Sequence, residues 1–191
     1  HCKYNLITSN TTTAMNTLDV RQFFLSLQDT FLKTLLDFDP SCSIDQRELE
    51  DERSYARPTV ITEGNLLEKG ACNFTHARGS ALPKAATDRK PELAGCAFQA
   101  VSLSWIIHPA NPYAPTSHGN LRYFNAYKQS AEQQNNKYWW FGGGIDLTPY
   151  YGFMEDAVHW HKTAKRACDP FGSDLYPRFK QACDQYFYLP H

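Results

Sequence analysis

Asp146 stands two residues past three consecutive glycines, in the stretch WWFGGGIDLTPYYGFMEDAVHWH that runs from Trp139 to His161. A carboxylate can orient or accept a proton from a nearby N–H or O–H. Glycines let the main chain approach a bulky group that any side chain would hold off. The same residues also fit a tight bend after a strand, with Asp146 capping the next turn, and both readings stay open on the residues alone. Two further segments carry polar groups at a spacing of two, which in a strand puts them on one side. In PTSHGNLRYF, His118, Asn120 and Arg122 share a side while Leu121 and Tyr123 take the other. Ser102, Ser104 and His108 likewise line up against Leu103, Trp105 and Ile107. Such rows either line a cavity or face water, as one side of many antiparallel sheets does. Within a cavity an arginine requires an anionic partner, and Arg122 can hold a carboxylate through two parallel hydrogen bonds. His159 and His161 lie two apart on a helical stretch and point nearly opposite ways, so they cannot both serve one site.

The elements that must position these residues follow from periodicity. Val20, Phe23, Phe24, Leu27, Phe31 and Leu35 predict a helix, opened by Asp19 as N-cap with Gln22 three residues on, and stopped at Asp39-Pro40. Gln46 to Arg57 reads as a charged connector. PTVITEGNLLEKG predicts a hairpin with Glu63-Gly64-Asn65 at its turn and Gly70 closing the second run. Ala71 to Gly79 and Phe98 to His108 are expected strands, divided by a loop with Pro83, Pro91 and Gly95. Pro109, Pro112 and Pro115 make the next connection stiff. Two more strands are expected, Asn120 to Tyr127 and Tyr138 to Phe141, joined by the polar segment Gln129 to Lys137. Past the glycines the period is helical again, with Glu155 and Asp156 in a first turn and Ala157, His161, Ala164 and Cys168 on one face. A final helix is expected over Leu175 to Tyr186. Consecutive strands with helices at both ends predict an α+β fold built on a mainly antiparallel sheet covered by helices, rather than a βαβ repeat.

Bulk properties exclude several function classes. The chain has 191 residues, enough for one domain with a real core, and a formal net charge of -1, which gives no electrostatic reason to expect nucleic acid. No run approaches the roughly 18 apolar residues of a membrane span, so a soluble, intracellular protein is expected. The Thr-rich residues 1–14 read as a tail or non-native leader outside the fold, and 15–191 as part of a single domain. The six cysteines are scattered singly without a CxxC pair, which argues against zinc-ribbon and thioredoxin-type sites. Aromatic residues at 14% suit broad buried sheet faces or a flat apolar ligand.

The longer motifs carry a family resemblance. NFTHARGSALP (Asn73 to Pro83), KPELAGCAF (Lys90 to Phe98), HPANPYAPTSHGNLRYF (His108 to Phe124), WWFGGGIDLTPYYGF (Trp139 to Phe153), EDAVHWHKTAKRACDPFG (Glu155 to Gly172) and DLYPRFKQACDQYFYLPH (Asp174 to His191) together resemble oxygen-dependent coproporphyrinogen III oxidases of haem biosynthesis. The resemblance implies a large antiparallel β-sheet sandwiched between α-helices, acting as a homodimer. It implies oxidative decarboxylation of the ring A and ring B propionates of coproporphyrinogen III to vinyl groups, giving protoporphyrinogen IX, carbon dioxide and hydrogen peroxide. Molecular oxygen is the implied co-substrate, with no organic cofactor and a divalent metal left open.

Residue by residue, the resemblance puts Ser104, Asn120 and Arg122 on substrate-contacting positions and His118 on that of a proton donor. Asp146 falls on a carboxylate that engages the pyrrole nitrogens. His108, His118, His161 and His191 fall on positions ascribed to divalent-metal ligands, which selects His161 over His159. The family implies cytoplasm or the mitochondrial intermembrane space, and the want of an Arg-rich leader favours the first. Family members continue past His191, so the chain is expected to be the N-terminal two-thirds of the domain and poorly active alone, the alternative being a non-catalytic tetrapyrrole-binding or dimerising remnant. Ser102 in place of glycine, Trp105 in place of an aliphatic residue and Met154 in place of an acid depart from the pattern. Trp105 is expected to point away from the polar row.

Overall fold

Helix α1 (Thr17–Phe38) opens at Asn16, whose side chain accepts a hydrogen bond from the Leu18 amide at 3.0 Å. The helix therefore begins a turn before the expected Asp19 cap, and Asp19 becomes a first-turn acid favourable to the helix dipole. Val20, Phe24, Gln28 and Leu32, each four residues from the last, form its buried stripe. In the computed structural model, which describes residues 16–82, 91–128 and 138–188, this stripe lies on a single antiparallel sheet of eight strands. The expected α+β class is borne out.

The strands are β1 (Ser43–Gln46), β2 (Leu49–Glu50), β3 (Ser54–Arg57), β4 (Thr59–Thr62), β5 (Leu67–Gly79), β6 (Ala97–Pro109), β7 (Thr116–Tyr127) and β8 (Tyr138–Thr148). Their spatial order is β1-β4-β5-β6-β7-β8, with β3 also on β5 and β2 on β3. Three expectations are corrected. The charged connector begins on the last residue of β1 and holds β2 and β3, because the outer strands of a sheet tolerate polar side chains that would be excluded from its centre. Gly70 does not close the hairpin's second run, since β5 passes through it to Gly79. The glycine triplet is not a bend: Gly142, Gly143 and Gly144 pair with Arg122, Leu121 and Asn120 inside β8. The connections expected around Pro83 and across Gln129 to Lys137 lie largely outside the described residues.

The face toward α1 is made by Cys72, Phe74, Val101, Leu103 and Tyr123, which are buried with Val20, Phe24 and Leu32. Burial pushes the Cys72 thiol up to about 12, so it is a packing group rather than a nucleophile. Trp105 does point away from the polar row, and its ring lies 5.6 Å from that of Phe31. Gly119 sits opposite Trp105 in the register, and a methyl there would run into the indole. At the base of α1, Asp39 accepts from the Ser41 hydroxyl at 2.6 Å and from the Leu66 and Leu67 amides at 2.7 and 3.0 Å. These donors, Ser41 foremost, hold its carboxyl well below the usual carboxylate range. The carboxylate reaches the β4–β5 turn because Gly64 has no side chain to block it.

Two further helices, α2 (Met154–Cys168) and α3 (Leu175–Phe187), follow β8 and contact one another. Between them, α1 and the β7–β8 pair is a cavity of about 660 Å³, lined among others by Phe23, Leu121, Phe141, Trp160 and Phe179. No helix of the described residues is long and apolar enough to cross a membrane.

Candidate active site

Strand register turns the two polar rows into a surface. Ser104 lies opposite Asn120, which lies opposite Gly144; Ser102, Arg122 and Gly142 make the next rung. One rung the other way are Ile106, His118 and Asp146. All of these side chains project from the face opposite Leu103 and Tyr123, because successive residues alternate. The paired positions 142 and 144 carry no side chains, so a bare strip of backbone runs beside Arg122 and Asn120.

At one end of this surface His118 Nδ1 is 3.0 Å from Asp146 Oδ2, and the Thr148 hydroxyl donates to the same oxygen at 3.0 Å. The pair is partly open to solvent, with 36% of the His118 side chain and 34% of Asp146 exposed. A group held in place yet still reachable suits proton exchange with a bound molecule. His108 lies next to it, 6.4 Å away between ring centroids and nearly perpendicular, with its Nδ1 3.3 Å from the Thr116 hydroxyl. Thr116 and Thr148 were not anticipated. They continue the alternation by two residues beyond His118 and Asp146, so extending each row would have found them.

At the other end the same face becomes aromatic. Phe124 stacks on Phe98 at 5.7 Å and on Trp140 at 4.3 Å. Arg122, between the aromatic and polar ends, is exposed and forms no ion pair among the described residues. The surface thus offers a cation, the amide and hydroxyl side chains of Asn120, Ser102 and Ser104, a flat apolar floor and a carboxylate–imidazole pair.

His161 is elsewhere. It lines the helix-side cavity with Phe23 and Leu121, across the sheet from His118, and its Nδ1 is 3.0 Å from the Tyr176 hydroxyl. His191 lies outside the described residues. The described members of the four-histidine set therefore do not converge: His108 and His118 are neighbours, His161 is not, and no group of three potential ligands forms among the described residues. Ser104, Asn120, Arg122, His118 and Asp146 do share one face.

Residues 19–191 match the family model of coproporphyrinogen III oxidase. That match spans nearly the whole chain, and the protein belongs to the coproporphyrinogen III oxidase family.

Proposed function

We propose that the chain carries out the oxygen-dependent step, converting two propionates of coproporphyrinogen III to vinyl groups on the Asp146–His118 face. Membership of the family supports oxidative decarboxylation in haem biosynthesis. The observation that carries the finer reading is the carboxylate–imidazole pair at 3.0 Å, set one rung from a side-chain-free strip and two from an arginine that has no ion pair among the described residues. A reduced tetrapyrrole presents pyrrole N–H donors at its centre and carboxylates at its rim. Asp146 accepts a pyrrole N–H, and Arg122 takes a propionate. Accepting that proton's hydrogen bond raises electron density on the ring, so oxygen adds to the substrate itself. The bound peroxide then takes a hydrogen from the propionate carbon next to the ring while the carboxylate leaves as carbon dioxide. Per propionate, one oxygen molecule and one proton are consumed, and one vinyl group, one carbon dioxide and one hydrogen peroxide form. His118, held by Asp146 through Nδ1, keeps its other ring nitrogen for the proton that the peroxide requires. Holding the flat substrate in one orientation supplies much of the acceleration. No step is routed through a metal, because the described histidines do not form a ligand set.

The test is turnover of chemically reduced coproporphyrinogen III, with oxygen uptake and carbon dioxide release followed together. Equal uptake and release with a divinyl product is the expected outcome. Tight binding without oxygen uptake identifies a non-catalytic tetrapyrrole-binding protein instead, and absence of binding overturns the reading.

A further inference from the structure

The turn between β6 and β7 and the link between β8 and α2 leave the sheet at the same end as Asp146, His118 and His108. The strand ends from which they depart carry hydrogen bonds already described, His108 to Thr116 across the mouth of the turn and Thr148 to Asp146 just before the link. Each projects aromatic rings. Tyr113 in the turn stacks on Tyr151 in the link at 4.8 Å and 28°, with Phe153 at 6.2 Å from Tyr113. The turn has a defined shape, since the Asn111 side chain accepts from the Tyr113 amide at 3.0 Å and the Asn111 carbonyl from the Ala114 amide at 3.0 Å. These rings belong to neither buried cluster of the fold, and Tyr113 and Tyr151 are 57% and 53% exposed.

An aromatic stack half in water adds little to folding, whereas covering it with a flat apolar ligand removes that surface from solvent. We propose that Tyr113 and Tyr151, backed by Phe153, form an aromatic clamp that takes one pyrrole ring of the bound porphyrinogen and thereby selects which propionate lies over Asp146. This rests on the function proposed above. A pyrrole ring is an electron-rich apolar plate with carboxylate arms. It meets the stacked rings through its face or edge, and a phenol hydroxyl donates to an arm. From His118 to Phe124 the strand rises roughly 20 Å, so the two aromatic ends bracket the glycine strip, with Arg122 and Asn120 between them. With Arg122 holding a propionate further along the strand, the clamp supplies a second point of attachment, and two points restrain rotation of the ring in its own plane.

Anaerobic equilibrium dialysis of coproporphyrinogen III against the wild-type chain and the variants Tyr113→Ala, Tyr151→Ala, Tyr113→Phe and Tyr151→Phe tests the clamp. Both alanine variants are expected to melt as wild type does and to bind roughly tenfold more weakly, while the phenylalanine variants, which keep the ring, stay within about threefold. Where turnover is measured, the alanine variants raise KM more than they lower kcat and release a larger share of product that has lost only one propionate. Wild-type binding with unchanged affinity in the alanine variants overturns the clamp and leaves the proposed function standing. Loss of affinity matched by a lower melting temperature overturns it in favour of a packing role. An alanine variant that changes the oligomeric state with unaltered tetrapyrrole affinity makes the rings a subunit contact and equally overturns it. Failure of the wild type to bind removes both proposals.

Discussion

At the residue scale the proposed reaction rests on what Asp146 would do that its neutral isostere cannot. An Asn at 146 keeps the size and one oxygen acceptor but loses the charge that draws on a pyrrole N–H and holds the His118 imidazole. Asp146→Asn is therefore expected to abolish turnover, by at least about a hundredfold, while anaerobic binding of coproporphyrinogen III stays within a few-fold. Turnover near the wild-type rate would remove Asp146 from the chemistry. The rows holding Ser104, Asn120, Arg122 and His118 were legible because side chains on a strand alternate, and that rule needs no partner. The meeting of His118 with Asp146 was not legible by the same rule, since they lie 28 residues apart and only the β7–β8 register brings them opposite one another.

At the element scale the sheet is held by close approaches that glycine alone allows. Gly119 makes room for the Trp105 indole against Phe31, so Gly119→Ala overpacks that layer at a cost of about 1–3 kcal/mol. Combining it with Trp105→Leu should recover part of the loss, because the two share one space, and thermal melts of the single and double variants measure the coupling. Strict additivity would show that the two do not meet. Gln28 is the polar centre of the α1–sheet contact. Its amide donates to the Arg57 and Cys72 carbonyls at 2.9 and 2.7 Å, and its oxygen accepts from Arg57 Nε at 2.7 Å. Gln28→Leu leaves these groups without partners in a fully buried position and is expected to cost about 3 kcal/mol, read as a lower denaturant midpoint at unchanged m-value. A polar residue within the apolar stripe of α1 gives no sign in the sequence of what it touches. The glycine triplet misleads for a related reason. Glycine has poor intrinsic strand propensity, and only the ladder to β7 holds those residues extended.

At the scale of the whole molecule the sheet divides the histidines into separate environments, and this was the least legible feature. Periodicity places His161 on a helix but does not say to which side of the sheet that helix turns. The structure sets it beside Tyr176 in the helix-side cavity, away from His108 and His118. His76 occupies a third setting, on the α1 side of the sheet. It is 1% exposed, with Nε2 2.9 Å from Gln99 Oε1 and Nδ1 without a partner among the described residues. Burial lowers its pKa below the usual 6.5, with the Arg78 and Arg21 charges adding and the Gln99 hydrogen bond opposing. The folded chain thus keeps His76 neutral under conditions in which the unfolded chain binds a proton. The sign follows: the stability this group contributes is complete above about pH 6.5 and is lost as pH falls from there toward the lowered folded value. The slope from His76 alone cannot exceed about 1.4 kcal/mol per pH unit, the limit for one proton. Urea midpoints of the wild type should therefore fall between pH 7 and pH 5.5. A His76→Gln variant, which keeps a polar side chain but has nothing to titrate, should show a shallower fall over the same window. Parallel slopes in the two would mean that acid acts on this sheet through some other group.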